Sequence, residues 1–325
     1  MRRNCAVTYF GKIPARGDFI KSSAGSQLAG TLDQWIAQTL ELMATDARWK
    51  LIYDSAPPVQ FAFLGSRGRL AIAGYMVPSS DSSGRRFPFV AACPFDVDSP
   101  MEFLARSPLA LSRVWGRLEV LTRGLLDTDD AAEPLRRIAE AAIPVETAAA
   151  AYDAYFQDFL EMNDLRSLTA LLAAGGYRVN LQHLFLALGL LLQPVMASGA
   201  SHIDKGLVLP LPAEPLYRGL VASLWLDLIS RFLGRADFEL ALFQVQRGDG
   251  RWSLVIGFSG AQARTLYGVF DAQVGAERNI EIEDADWVDA HLSSDYSLTK
   301  MARYLEQSDL SLAPAVRIFA ETFLG

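Results

Sequence analysis

The chain has 325 residues, of which 51% are hydrophobic and 21% charged, and its net charge is −7. That is enough apolar material for one large domain or two smaller ones. An acidic balance without any Lys/Arg-rich run excludes the concentrated positive patch that nucleic-acid backbones require.

The two cysteines, Cys5 and Cys93, sit in apolar runs outside any CxxC or metal-type spacing. They predict buried thiols in a reducing compartment, not a disulfide framework. The first residues start basic but reach Tyr9, Gly11 and Lys12 without a continuous apolar stretch, so no signal peptide is expected.

In chain order, strand-like runs are expected over residues 6–10, 59–64, 70–77 and 87–95. The second and third flank a short Gly-containing turn and predict a hairpin. A helix over 31–44 repeats apolar residues at helical spacing, with Trp35 as its anchor on the sheet. From 99 to about 161 the pattern turns helical, opening with Pro100 at a first helical position and interrupted by the acidic loop 127–130. Residues 179–203 carry no charge, but Asn180, Gln182, His183, Gln193, Pro194, Ser198 and His202 interrupt them. The stretch therefore predicts a core helix capped by Asn180 and ended near Pro194, with no stable membrane insertion.

A strand over 206–212, a helix over 214–233 containing Trp225, and a hairpin over 238–258 turning at Asp249-Gly250 follow. The tail reads as helices over 261–270, 284–291, 298–306 and 313–324. Strand, helix with Trp, then hairpin occurs in both halves, the pattern an internal duplication leaves. The predicted fold is mixed α/β, with largely antiparallel sheet covered by helices. The weakest stretch, 127–144, divides an N-terminal module at 1–130 from a C-terminal one at 131–325, packed against each other or continuous as one domain.

The common chemical signatures are absent. His183, His202 and His291 are scattered, and no GxSxG elbow, GxxxxGK[ST] loop or GxGxxG loop occurs. No cofactor or metal is predicted. Arg-Gly-Asp occurs at 16–18 and 247–249; without an export signal neither reads as an integrin ligand, the second being a hairpin turn and the first part of a longer polar segment.

Two polar, Gly-bearing segments remain, 11–19 and 78–89, and they hold the candidate site: Lys12, Arg16, Gly17, Asp18, Ser79, Asp81, Gly84 and Arg85, with Arg86 beside them. If both lie at one end of a sheet, Asp18 or Asp81 can pair with Arg85. Asp81 to Gly84 reads as a turn with Asp and Ser side chains on backbone N–H groups, or as a nest of N–H groups for an anion. Three roles stay open: a structural loop clamp, a partner-binding surface, or a catalytic site using Asp18, Asp81 and Arg85.

The order Gly11-Lys12-Ile13-Pro14, Gly17-Asp18-Phe19, Trp35, Trp49, Tyr53, Ala56-Pro57, Ser79, Asp81, Gly84-Arg85, Phe87-Pro88 resembles the TagF/ImpM family of type VI secretion accessory proteins. Ser80 departs from it, where an apolar residue is expected, and so do Ser82 and Ser83. The resemblance implies a cytoplasmic, non-enzymatic factor that represses secretion after translation by binding a forkhead-associated scaffold protein. A phosphate-handling hydrolase and a structural component of the apparatus are the competing classes. Oligomeric state is not legible.

Overall fold

The computed structural model describes residues 2–198, 203–283, 285–292 and 295–325. Its strands are β1 (Arg2–Ala6), β2 (Thr8–Gly11), β3 (Ile20–Lys21), β4 (Val59–Gly65), β5 (Leu70–Val77), β6 (Phe89–Asp96), β7 (Ala142–Glu146), β8 (Gly206–Leu211), β9 (Glu239–Gln246), β10 (Trp252–Gly257) and β11 (Asn279–Glu281). The helices in the first half are α1 (Ser26–Met43), α2 (Trp49–Ser55), α3 (Pro100–Leu126), α4 (Ala132–Ala139) and α5 (Ala150–Met162). Then come α6 (Leu165–Ala174), α7 (Leu181–Ser198), α8 (Pro215–Ser230), α9 (Ala263–Phe270), α10 (Ala272–Arg278), α11 (Asp289–Leu292), α12 (Tyr296–Leu305) and α13 (Leu312–Phe323).

The two expected hairpins, β4–β5 and β9–β10, meet edge to edge. Strand β4 pairs antiparallel with β9 from Val59↔Val245 to Gly65↔Glu239. One nine-stranded sheet results, in the order β11-β8-β10-β9-β4-β5-β6-β2-β3, so both halves of the chain contribute to it. All its pairings are antiparallel except β11 with β8. A mixed, largely antiparallel α/β fold is what the sequence predicts.

Alternation along each strand sends side chains to two cores. On one face Ala62, Leu64, Ala73, Cys93, Leu209, Leu242 and Ile256 lie under α3, α8 and the helices beyond them. On the other, Phe61, Val90, Val208, Phe243 and Val255 lie under α1, α2 and α9. Trp35 anchors α1 on this second face, with its ring centroid 5.0 Å from Phe63 and 5.7 Å from Phe61. On the first face, Trp115 of α3 and Trp225 of α8 donate their indole N–H to the Phe61 and Pro210 carbonyls, at 3.0 and 2.9 Å. Cys5 and Cys93 are free and buried, as expected.

Several expectations change. The strand over 6–10 is two strands hinged at Val7: β1 pairs with β7 in a small separate sheet, while β2 pairs with β6. Helix α1 starts at Ser26, because Gly25 takes a left-handed conformation (φ 70°) one residue before it. Helix α7 runs past Pro194 to Ser198. The proline is exposed, and the burial of Leu192 and Val195 on the opposite side carries the helix through the lost hydrogen bond. Of the helix expected over 284–291, Asp284 lies outside the described residues, and a 3-10 turn (Asp286–Val288) precedes α11. His202 also lies outside them.

The recurring strand–helix–hairpin order does not extend to a repeated fold. Strand β6 stands between β5 and β2, whereas β8 pairs directly with β10, and α1 and α8 cover opposite faces. Among the described residues no helix is long and apolar enough to cross a membrane.

Candidate functional site

Because β2 and β6 run antiparallel, with Phe10 opposite Val90, the loop leaving β2 and the loop entering β6 emerge at the same end of the sheet. Their approach depends on Gly11. It sits at φ 127°, and a Cβ there would lie 2.1 Å from the Pro88 carbonyl oxygen. Only glycine lets the two backbones pass so closely.

Asp81 joins the loops, and its side chain is fully shielded from solvent. Its Oδ1 accepts from Ser83 N (3.1 Å), Ser83 Oγ (2.8 Å) and Arg85 N (3.0 Å). Its Oδ2 accepts from Arg85 Nε at 2.7 Å and meets the Lys12 ammonium at 3.0 Å. Burial alone would push this carboxyl upward. The Ser83, Arg85 and Lys12 bonds outweigh it and hold the group well below the usual carboxylate range. Arg85 then reaches across, and its Nη2 donates to the Gly17 carbonyl at 2.6 Å. Ser82 N donates to the Arg16 carbonyl at 2.9 Å, a second strut between the loops.

The expected partner choice is thereby resolved: Asp81 holds Arg85, and Asp18 does not. Arg16 and Asp18 are exposed, and their side chains have no hydrogen bond or ion pair among the described residues. The anion nest is overturned. The N–H groups of Ser82, Ser83, Gly84 and Arg85 are all occupied within the loops, by the Arg16 carbonyl, Asp81 Oδ1, the Asp81 carbonyl and Asp81 Oδ1. Gly84, at φ 77°, closes this turn and faces open space.

Ser79 lies at the base of the second loop. Its N–H donates to the Tyr53 hydroxyl at 3.0 Å, and its carbonyl accepts from the same hydroxyl at 2.8 Å. Burial pushes the Tyr53 phenol upward, which keeps it neutral in this double role. Arg86 grips Asp54 of α2 through two bonds at 2.7 and 2.6 Å and lies over the Trp49 ring. Ser80, the departure from the family pattern, bridges Arg86 and opens into a cleft of about 490 Å³ shared with Pro14, Tyr53 and Leu126. The sequence offers no signal for Asp54, a lone carboxylate near the end of a short helix.

Phe19 also faces outward at this end. It is 40% exposed and rests edge-on against Phe87 at 5.1 Å, with Phe10 at 6.3 Å.

Chemically, the five donors around Asp81 leave it no free lone pair with which to take a proton from a substrate. Among the described residues there is no cluster of three His, Cys, Asp or Glu side chains able to hold a metal ion.

The family described as TagF N-terminal domain, type VI secretion system-associated, matches residues 8–142, a span that holds both loops, the Asp81 clamp and Tyr53. Residues 8–142 are a TagF N-terminal domain. The description of that family ties this domain, and not the remainder of the chain, to type VI secretion systems. One solved structure similar to it is PA0076 from Pseudomonas aeruginosa PAO1, at 24% identity and a TM-score of 0.35. The match covers 43% of this chain and 64% of that one, less than two thirds of its length. No curated protein matches the chain.

The TagF N-terminal domain ends at the first residue of β7, whose partner β1 begins the described chain. Beyond it, α8, β8, β9 and β10 complete the sheet and core on which that domain rests.

Proposed function

We propose that this chain is a cytoplasmic, non-enzymatic regulator that represses type VI secretion after translation by binding a forkhead-associated scaffold protein and withholding it from assembly. The TagF N-terminal domain supplies the secretion system. The observation that carries the non-catalytic part is the saturation of Asp81, the one buried carboxylate of the signature loops. It is fixed as an anion by two cations and three further donors, which makes it a clamp and a poor acid or base.

Sequestration needs binding energy alone, concentrated in a few side chains. The signature end is the surface assigned here: Lys12, Ser79, Asp81, Gly84 and Arg85 build it, and Gly17 carries Arg16 and Asp18 outward. Withholding a scaffold requires the regulator to be present in amounts comparable to it.

The test is release of the secreted tube protein into the medium, with this gene deleted, restored and overproduced. Repression predicts silence on overproduction while the tube protein accumulates inside cells. Secretion that ignores overproduction and collapses on deletion would contradict repression and favour a required structural component.

A further inference from the structure

The signature end separates into a part that holds and a part that is held. Residues 13–19 have their backbone pinned by Arg16 N to the Ile13 carbonyl (3.1 Å), Ser82 N to the Arg16 carbonyl (2.9 Å) and Arg85 Nη2 to the Gly17 carbonyl (2.6 Å). The side chains on that fixed backbone do the opposite. Arg16 and Asp18 point to solvent with no partner among the described residues, and Phe19 stands 40% exposed on a pedestal of Phe10 and Phe87. A loop whose main chain is ordered while its side chains stay unpaired has already met the entropic cost of docking, which is the condition for tight recognition by a short segment. Exposed aromatic and Arg side chains are also the types that dominate binding energy at protein interfaces.

We infer that Arg16, Asp18 and Phe19 are the contact residues for the scaffold protein, with Phe19 entering an apolar pocket whose rim carries a carboxylate facing Arg16. This rests on the repressor reading above and specifies the site by which it acts. The charges follow from the residues present: Arg16 has no counter-ion, and Arg85, 63% exposed, leaves its Nη1 free, so the rim facing them is anionic, while the equally unpaired Asp18 faces a hydrogen-bond donor. Lys12 and Asp81, by contrast, act on binding only by holding the loop.

The experiment measures affinity of the purified forkhead-associated scaffold protein for the full chain and its variants by calorimetry, with thermal unfolding alongside. Phe19→Ala is expected to weaken binding about tenfold or more. Arg16→Glu alters an exposed side chain that has no hydrogen bond or ion pair among the described residues; it is expected to weaken binding comparably, with little change in melting temperature. Phe19→Tyr should bind close to wild type. If the scaffold binds wild type and Arg16→Glu equally well, the contact assignment is overturned while the repressor reading stands. If the scaffold does not bind wild type at all, both fall together.

Discussion

The Lys12 ammonium lies 3.0 Å from Asp81 Oδ2, across two loops far apart in sequence and adjacent in space. The side chain of Lys12 is 16% exposed and that of Asp81 is not exposed. Water therefore cannot replace either partner freely, and the contact ties the end of β2 to the turn before β6. Most of the signature's polar residues follow from this one requirement: a carboxylate, two cations to neutralise it, and a tight turn to supply its N–H donors.

That arrangement fixes a pH dependence. The Asp81 carboxyl is held below its ordinary value of 3.8, so the folded state binds this proton more weakly than the unfolded one. Its contribution to stability is present above about pH 4 and is lost as pH falls below that, through the depressed native value. Urea midpoints should show Asp81→Asn less stable than wild type at neutral pH, with the gap narrowing in acid. A gap that stays constant down to acid pH would mean that the ion pairs do not stabilise the fold.

The two signature glycines should respond differently to alanine. At Gly84 the added methyl meets nothing, so only the left-handed backbone (φ 77°) is penalised, at about 1–2 kcal/mol. At Gly11 the methyl collides with the Pro88 carbonyl as well, so Gly11→Ala should cost about 3 kcal/mol or more. Chemical denaturation of the two variants separates a strained turn from a blocked strand pairing.

A second buried charge network joins α3 to α8. Arg106 donates to Asp227 at 2.8 Å and to Asp153 at 3.0 Å, Arg231 closes on Asp227 at 2.7 Å, and the Arg106 guanidinium lies 4.0 Å above the Phe156 ring. Asp227→Ala leaves Arg106 buried without its main counter-ion and should cost about 3–5 kcal/mol. The double change Arg106→Met/Asp227→Leu should cost less than Asp227→Ala alone, because no unpaired charge remains inside. Additive losses would contradict that coupling.

Trp35 packs against Phe61, Phe63 and Phe243, while its indole N–H is buried with no acceptor among the described residues. Trp35→Phe removes an unsatisfied donor as it removes volume, and should shift stability by under about 1.5 kcal/mol. Trp35→Ala opens a cavity and should cost about 3–5 kcal/mol. Scaffold affinity of the folded Trp35→Phe variant should not change, since the residue lies far inside the second core.

What could be read in advance follows from range. The hairpins β4–β5 and β9–β10, α3 with its leading Pro100 and α8 with Trp225 were legible because their signals are local: alternation, helical spacing and turn residues within a few positions. The joining of the halves through β4 and β9 was not, because edge pairing leaves no trace in either strand alone. Strand β7 escaped for a similar reason; Ile143-Pro144-Val145 is short, holds a proline and pairs only with β1. At the site, the residue types allowed a clamp, a binding surface or a catalytic site, and the pairing of Arg85 with Asp81 and not Asp18 depends on which carboxylate the turn buries. Phe19 read as part of a motif, and its exposure is a property of the assembled loops.

Repression by binding without catalysis has a stoichiometry, and measuring it is the most direct test. Secretion should be measured while the level of this protein is titrated against a fixed, quantified level of the scaffold. Sequestration predicts that release falls in proportion and ceases near one regulator per scaffold molecule. Complete silencing at a small fraction of that ratio would contradict sequestration and return an enzymatic mechanism to the signature loops.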